Sequence, residues 1–338
     1  MAAIQIVNSL PQDKWLEFVE KHPAGNIFHL RAMLEVFREA RKHETALFAA
    51  IEAESREILS LLLSTEIRVL GMPIGRLNSR SIIYGGILCK ESDEGKDSLI
   101  PLLDIYNQSI KNRALFTEIR NMSPIEGIRE QIEKCGYKYI NYLNYLIDLK
   151  RPPDTIFQSF SKSGRRNLKK SQREGVLVEE IANKGKIQAF YELIKKTYSK
   201  VKVPVADISL FESAFDKLHP HGMVKFFLAT QGNKYIGARV VLLFKSQIFD
   251  WYAGADEDFL GYYPNEKLVW HILKWGSESG FDSFDFGGAG RPEEKYGVRD
   301  FKERFGGQLV DHGRYVKVHS PNLYKLAETG YQIYRKIL

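Results

Sequence analysis

Two stretches of this chain, 11–149 and 156–338, present the same order of elements. Each opens with helical periodicity, passes through three strand-length apolar runs, and continues as helix, strand, helix, strand. In the first stretch the pattern predicts helices at 11–22 and 27–40, strands at 46–53, 57–68 and 81–89, a loop at 72–78, a helix at 97–111, a strand at 114–120, a helix at 125–135 and a closing strand at 141–149. In the second it predicts helices at 156–173, 186–199 and 208–218, strands at 224–230, 235–244 and 247–255, a helix at 264–280, strands at 281–286 and 308–318 around a short helix, and a last helix at 322–338. Glu54–Ser55–Arg56 and Gln231–Gly232–Asn233–Lys234 are the tight polar turns that join the first two strands of each triplet as hairpins. Tyr84–Gly85–Gly86 stands where Tyr252–Ala253–Gly254 stands in the second copy. Hairpin-linked triplets are antiparallel, so a doubly wound parallel sheet is excluded; a strand reached through a helical crossover adds a parallel pairing. The expectation is therefore an α+β duplication, two mixed sheets flanked by helices. The domains are expected at 1–150 and 151–338, parted at Arg151–Pro152–Pro153–Asp154, whose prolines cannot continue a strand.

Composition narrows the class rather than the function. An apolar share of 44% and a charged share of 27% are those of an ordinary globular protein. The net charge of +7 favours polyanionic partners such as tRNA, nucleotides or an anionic membrane surface, without choosing among them. Cys89 and Cys135 stand far apart with no CxxC, so neither a zinc site nor a disulfide framework is expected, and a reducing cytoplasm fits. No basic segment followed by a long apolar run opens the chain, so no signal peptide is expected. The longest apolar runs are strand-sized, far short of the ~20 residues that span a bilayer, so contact with an anionic membrane would be peripheral.

One stretch looks built for chemistry. Residues 281–307 begin with strand alternation, break at Gly287, Gly288 and Gly290, and resume as a short helix carrying Val298, Phe301, Lys302 and Phe305, closed by Gly306–Gly307. Asp285 at the strand end is a candidate general base or amine-orienting group, and Lys302, if turned inward, could stabilise charge on a carbonyl oxygen. The amides of Gly287 and Gly288 could face an oxyanion or a phosphate. A second signal is the run 162–173, KSGRRNLKKSQR, with six basic residues and no acid. Arg165 and Lys169, like Arg166 and Lys170, stand four apart and share a helix face, which fits an anion-binding surface as well as a solvated one. Trp251, Tyr252, Tyr262 and Tyr263 are core or pocket-wall candidates. The scattered histidines form no metal spacing, and there is no GxSxG, P-loop or dinucleotide fingerprint, so metal hydrolysis, serine hydrolysis and nucleotide hydrolysis lack support.

The sequence RRNLKKSQREGV, followed by DWYAGADEDFLGYYPNEKLVWHILKWGSESGFDSFDFGG and FKERFGG, resembles the FemA/FemB/FemX family, tRNA-dependent aminoacyltransferases that build peptidoglycan interpeptide bridges. The resemblance is most specific over 159–310 and rests on element order in the first half. It implies two tandem domains of the acetyltransferase (GNAT) type, in agreement with the duplication, and an enzyme needing no cofactor and no metal. It implies an aminoacyl-tRNA donor and an amine-bearing cell-envelope precursor as acceptor. The family's phenylalanine–lysine pair falls on Phe301–Lys302, its basic helix on Arg165–Arg166, and a pocket tyrosine on Tyr252. No heptad run corresponds to the coiled-coil arm of the larger members, and 26–31 lacks the family's glutamine. Two other readings stay open, an acyl-CoA-dependent N-acyltransferase and a non-catalytic RNA- or anion-binding protein. Against the first, the stretch where a CoA pyrophosphate would sit, 254–261, carries three acids.

Overall fold

The protein is described here as a computed structural model of residues 3–68, 79–200 and 203–325. It has two compact units, Met1–Asn141 with His312–Leu338, and Tyr142–Asp311.

The first unit carries β1 (Ile4–Val7), β2 (His43–Glu52), β3 (Ile58–Arg68), β4 (Ser79–Gly85), β5 (Leu88–Cys89), β6 (Phe116–Asn121) and β7 (Lys138–Ile140). Its helices are α1 (Gln12–Lys21), α2 (Arg31–Glu39), α3 (Asp93–Ile110) and α4 (Arg129–Lys134). The β2–β3 hairpin and β4 are antiparallel, and β6, reached through α3, is parallel to β4, as the crossover argument requires. Helix α3 buries Leu99, Leu102, Leu103 and Tyr106 on Leu62, Ile83 and Ile119. The buried Tyr106 hydroxyl keeps its hydrogen bonds by meeting Ser81 Oγ at 2.7 Å and Thr117 Oγ1 at 2.8 Å. The sheet ends in β6, the strand Arg314–Val318 and β7.

The second unit carries β8 (Leu143–Asp148), β9 (Leu177–Glu180), β10 (Val224–Gln231), β11 (Lys234–Phe244), β12 (Gln247–Ala255), β13 (Ser283–Gly288) and β14 (Gln308–Asp311), in the order β14-β8-β13-β12-β11-β10-β9. Its helices are α5 (Pro153–Ser159), α6 (Lys162–Arg173), α7 (Ile187–Lys200), α8 (Ile208–Leu218), α9 (Pro264–Glu278) and α10 (Gly297–Glu303). Strands β10, β11 and β12 are an antiparallel meander, and β13, reached through α9, is parallel to β12. The core joins Ile248, Phe284, Phe286 and Phe305 to Leu268, Ile272 and Leu273 of α9.

Two expectations need correction. The strand placed at 141–149 to close the first half lies in the second unit, between β13 and β14, with Ile147 fully buried there. The expected boundary at 150 and 151 therefore falls beyond the observed one, and Pro152–Pro153 opens α5, where a proline at the first turn loses no hydrogen bond. The strand expected at 308–318 is two strands in two sheets, interrupted at His312–Gly313. Each unit is thus completed by a strand drawn from the other half of the sequence. Smaller differences are local. The helix expected at 156–173 is α5 and α6, separated at Phe160–Ser161, and that expected at 27–40 is a single turn at Ile27–His29 followed by α2. Strands β1, β7 and β9 had no prediction. The loop at 72–78 and the last helix beyond Lys325 lie outside the described residues.

Among the described residues no helix is long and apolar enough to cross a membrane. Cys89 and Cys135 are buried free thiols, pushed up to about 12 and about 11 by burial, which leaves neither reactive near neutrality.

Candidate active site

The two units differ where their parallel strands meet. In the first, β4 and β6 stay in register from Arg80↔Phe116 to Gly85↔Asn121. In the second, β12 and β13 pair only from Gln247↔Ser283 to Phe249↔Asp285. Beyond that point β12 runs on to Ala255 without β13, and the sheet opens. Asp285 is the last paired residue of β13, and Asp250 is the first residue of β12 past the parting.

Lys302 comes to this opening from α10. Two residues past the helix, Phe305 is fully buried, edge-on to Phe160 at 5.1 Å and to Phe301 of α10 at 5.1 Å. Gly306 closes the turn that follows at φ +69°, where a Cβ would lie 2.2 Å from Ser159 O, so only glycine fits. The Lys302 side chain is turned inward and 8% exposed. Its ammonium donates to the carbonyls of Phe286 at 2.6 Å, Gly287 at 3.2 Å and Gly288 at 2.8 Å. Three donors meet three acceptors, and charge-assisted bonds of this kind contribute about 1.5–3 kcal/mol each. Gly287, at φ +67°, lets the turn present these carbonyls to one point.

Asp285 is fully buried; its Oδ1 accepts from Asn144 Nδ2 and from the Gly287 amide, both at 2.6 Å, while its Oδ2 has no partner. Burial pushes its carboxyl up to about 6, against the pull of those two bonds and of Lys302. Burial likewise brings Lys302 down to about 8, with Asp250 and then Asp285 opposing. Asp250 pairs with Arg239 Nη1 across the β11–β12 bulge, both side chains nearly sealed from solvent. Burial raises the Asp250 carboxyl as well. The cluster therefore holds two carboxylates and two cations, with one group near 6 and one near 8 on either side of neutrality.

The structure gathers Lys302, Asp285, Gly287 and Gly288 in one place, with Phe301 beside Lys302 on α10. Arg165, Arg166 and Lys169 come together elsewhere in the same unit, with Lys162, Gln172 and Arg173, lining an open concavity of about 730 Å³ along α6. Arg165 is partly committed, donating to Phe160 O and, at 2.8 Å, to Gln158 O. Arg166 and Lys169 are exposed. Tyr252 lies on β12 past the parting, edge-on to Phe211 at 5.0 Å. Tyr262 packs beside Phe259 at 5.7 Å against the apolar core. Sequence reasoning missed Arg239, Asp250 and Asn144. Each is a polar or charged residue inside an otherwise apolar strand, which was the available signal. Two acids of the 254–261 loop are neutralised, Asp256 by Lys196 at 2.7 Å and Glu257 by Lys200, so the loop opposes a pyrophosphate less than its composition implies. Among the described residues no group of three or more His, Cys, Asp or Glu could hold a metal.

Comparison with known proteins bears on the fold and the class of reaction. The acetyltransferase (GNAT) domain family matches residues 158–303. A protein named Lipid II:glycine glycyltransferase from Staphylococcus haemolyticus is 21% identical over 60% of this chain and 64% of its own length, just under two thirds. One of the same name from Staphylococcus aureus is 20% identical over 92% of each. That alignment runs over 399 positions, more than this chain possesses, so the relative carries insertions absent here. The crystal structure of FemX superposes with a TM-score of 0.69 at 17% identity, covering 95% of this chain and 99% of that one. The fold is a pair of tandem GNAT-like units with mixed sheets, without a coiled-coil arm among the described residues. The chain is a transferase of acyltransferase fold, similar to the FemX-type glycyltransferases.

Proposed function

We propose that this protein transfers an aminoacyl group, glycine in the first instance, from an aminoacyl-tRNA to an amine of a peptidoglycan precursor of the Lipid II type. The observation that carries the reading is the charged cluster at the parting of β12 and β13. It stands in a chain whose relatives, matched over 92% of both lengths, bear a glycyltransferase name. The acceptor amine attacks the ester carbonyl of the donor; the carbonyl oxygen takes the electron pair, and the ribose hydroxyl leaves when the tetrahedral intermediate collapses. The Lys302 ammonium offsets the negative charge that develops on that oxygen, by its field and by yielding its longest carbonyl bond, to Gly287. Asp285, with an unpartnered Oδ2, orients the amine, accepts its proton and returns it to the departing ribose oxygen. Arg166 and Lys169 hold phosphates of the tRNA on the α6 concavity, and Tyr252 and Tyr262 belong to the walls around the acyl group.

The experiment is a donor competition. The protein is incubated with Lipid II and radiolabelled glycyl-tRNA, and separately with Lipid II and acetyl-CoA. Label appearing in Lipid II from the tRNA alone supports the reading. Acyl transfer from CoA alone moves the donor assignment to the acyl-CoA class, which the acetyltransferase description of the matching family also accommodates. Salt-sensitive tRNA binding that ignores acylation, with no transfer, leaves an RNA-binding protein.

A further inference from the structure

Lys302 is nearly sealed from solvent, and neutral carbonyl dipoles supply all three of its hydrogen bonds. A buried ammonium held only by dipoles tends to discharge, so its charge needs a fixed counter-charge nearby. The charged groups acting on it are Asp285 from β13, Asp250 from β12 and Arg239 from β11. Asp285 is held by two neutral donors, Asn144 Nδ2 and the Gly287 amide, neither of which fixes a charge on it. Asp250 is placed differently. It follows directly on the last paired position of β12, and its backbone oxygen lies 3.4 Å from where a Cβ on Gly287 would stand. One carboxylate oxygen is anchored by Arg239, which is itself only 2% exposed. The other, Oδ1, is buried without a hydrogen-bond partner, as is Arg239 Nε. A carboxylate held by a guanidinium yet with a free oxygen is more than a satisfied ion pair. It leaves half of its accepting capacity turned to its surroundings.

We infer that Asp250, anchored by Arg239, is the positioning residue that keeps the Lys302 ammonium charged at the parting of β12 and β13. The inference rests on the proposed use of Lys302 for its catalytic meaning, but its test needs no substrate. Lysine residues are labelled with carbon-13 at Cε, the Lys302 resonance is assigned by its loss in Lys302→Arg, and its titration is followed. The expected wild-type midpoint is about 8. Asp250→Asn lowers it by about one unit or more, a tenfold change in the proton affinity. The double variant Arg239→Gln with Asp250→Asn, which strands no charge, lowers it by less, because a repelling cation leaves with the attracting anion. Asp250→Glu restores the wild-type midpoint. An unmoved or raised midpoint in the folded single or double variant overturns the inference, and so does failure of both to fold, which makes the pair structural. A normal titration combined with full transfer by Lys302→Ala would instead sink the functional reading and leave this one standing.

Discussion

The amide of Ser161 donates to the carbonyl of Arg304 across 2.9 Å, so the start of the basic helix α6 is fastened to the chain two residues beyond Lys302. The contact is close: a Cβ on Gly164 would lie 2.9 Å from the same carbonyl. The Ser161 hydroxyl caps α6 by accepting from the Gly164 amide at 3.0 Å. The basic face of α6 and the buried ammonium are thereby tied through a short, rigid path. Gly164→Val is expected to push the two apart, lowering transfer while tRNA binding at low salt is kept. Comparing the tRNA dissociation constant with the transfer rate tests this.

The arginines of α6 should separate by role. Arg166→Glu and Lys169→Glu change exposed groups, so stability should hold within about 0.5 kcal/mol. The slope of tRNA affinity against salt should fall by about one for each phosphate that is no longer neutralised. Arg165→Ala removes bonds to Gln158 O and Phe160 O and should instead lower stability by about 1–3 kcal/mol. Denaturant melts beside salt titrations distinguish the two classes.

Transfer should follow a bell in pH. Protonation of Asp285 removes the base as pH falls through about 6, and loss of the Lys302 proton removes the positive charge as pH rises through about 8. Asp285→Asn should lower the plateau and erase the acid limb while the alkaline limb persists. An acid limb that survives the substitution assigns the base elsewhere.

Stability in acid should depend on the first unit. Glu118 meets Arg120 at 2.8 Å and also Arg314, and those charges outweigh burial, bringing its carboxyl down to about 2. The folded pKa lies below the ordinary value, so the contribution is present above about 4.5 and disappears as pH falls towards about 2. It amounts to about 3 kcal/mol. Burial brings His319 down to about 4, so stability also falls as pH drops from 6.5 towards that value. Glu118→Gln should lower stability at pH 7 and flatten the loss below pH 4.5, as read by urea melts across pH.

The strand exchange dictates where the chain can be cut. A fragment beginning at residue 151 lacks β8, leaving β13 and β14 without their shared partner and removing Tyr145 and Ile147 from the core. That fragment should fail to show a cooperative thermal transition by circular dichroism, whereas 142–311 should show one.

Legibility in the sequence followed the range of the interactions. The hairpins and the β12–α9–β13 crossover are set by local turns and by period, so they could be read directly. Asp285 and Lys302 stood out because each interrupts an apolar pattern beside a glycine break. Arg239 and Asp250 interrupt their strands in the same way, but only the bulged register of β11 and β12 brings them together. The exchange of β8 and the strand Arg314–Val318 left no local mark, because alternation of apolar residues is the same whichever sheet receives the strand. The opening between β12 and β13 was also silent, since parting of strands depends on long-range pairing.

The most direct test of the whole account is the rate at which glycine passes from glycyl-tRNA to Lipid II under wild-type protein and under Lys302→Ala, both confirmed folded. The account predicts a loss of about a hundredfold or more with tRNA affinity unchanged, the magnitude expected when a buried charge facing the developing oxyanion is removed. Transfer by the variant within about threefold of wild type, well under the 1.4 kcal/mol that a tenfold change represents, would contradict it.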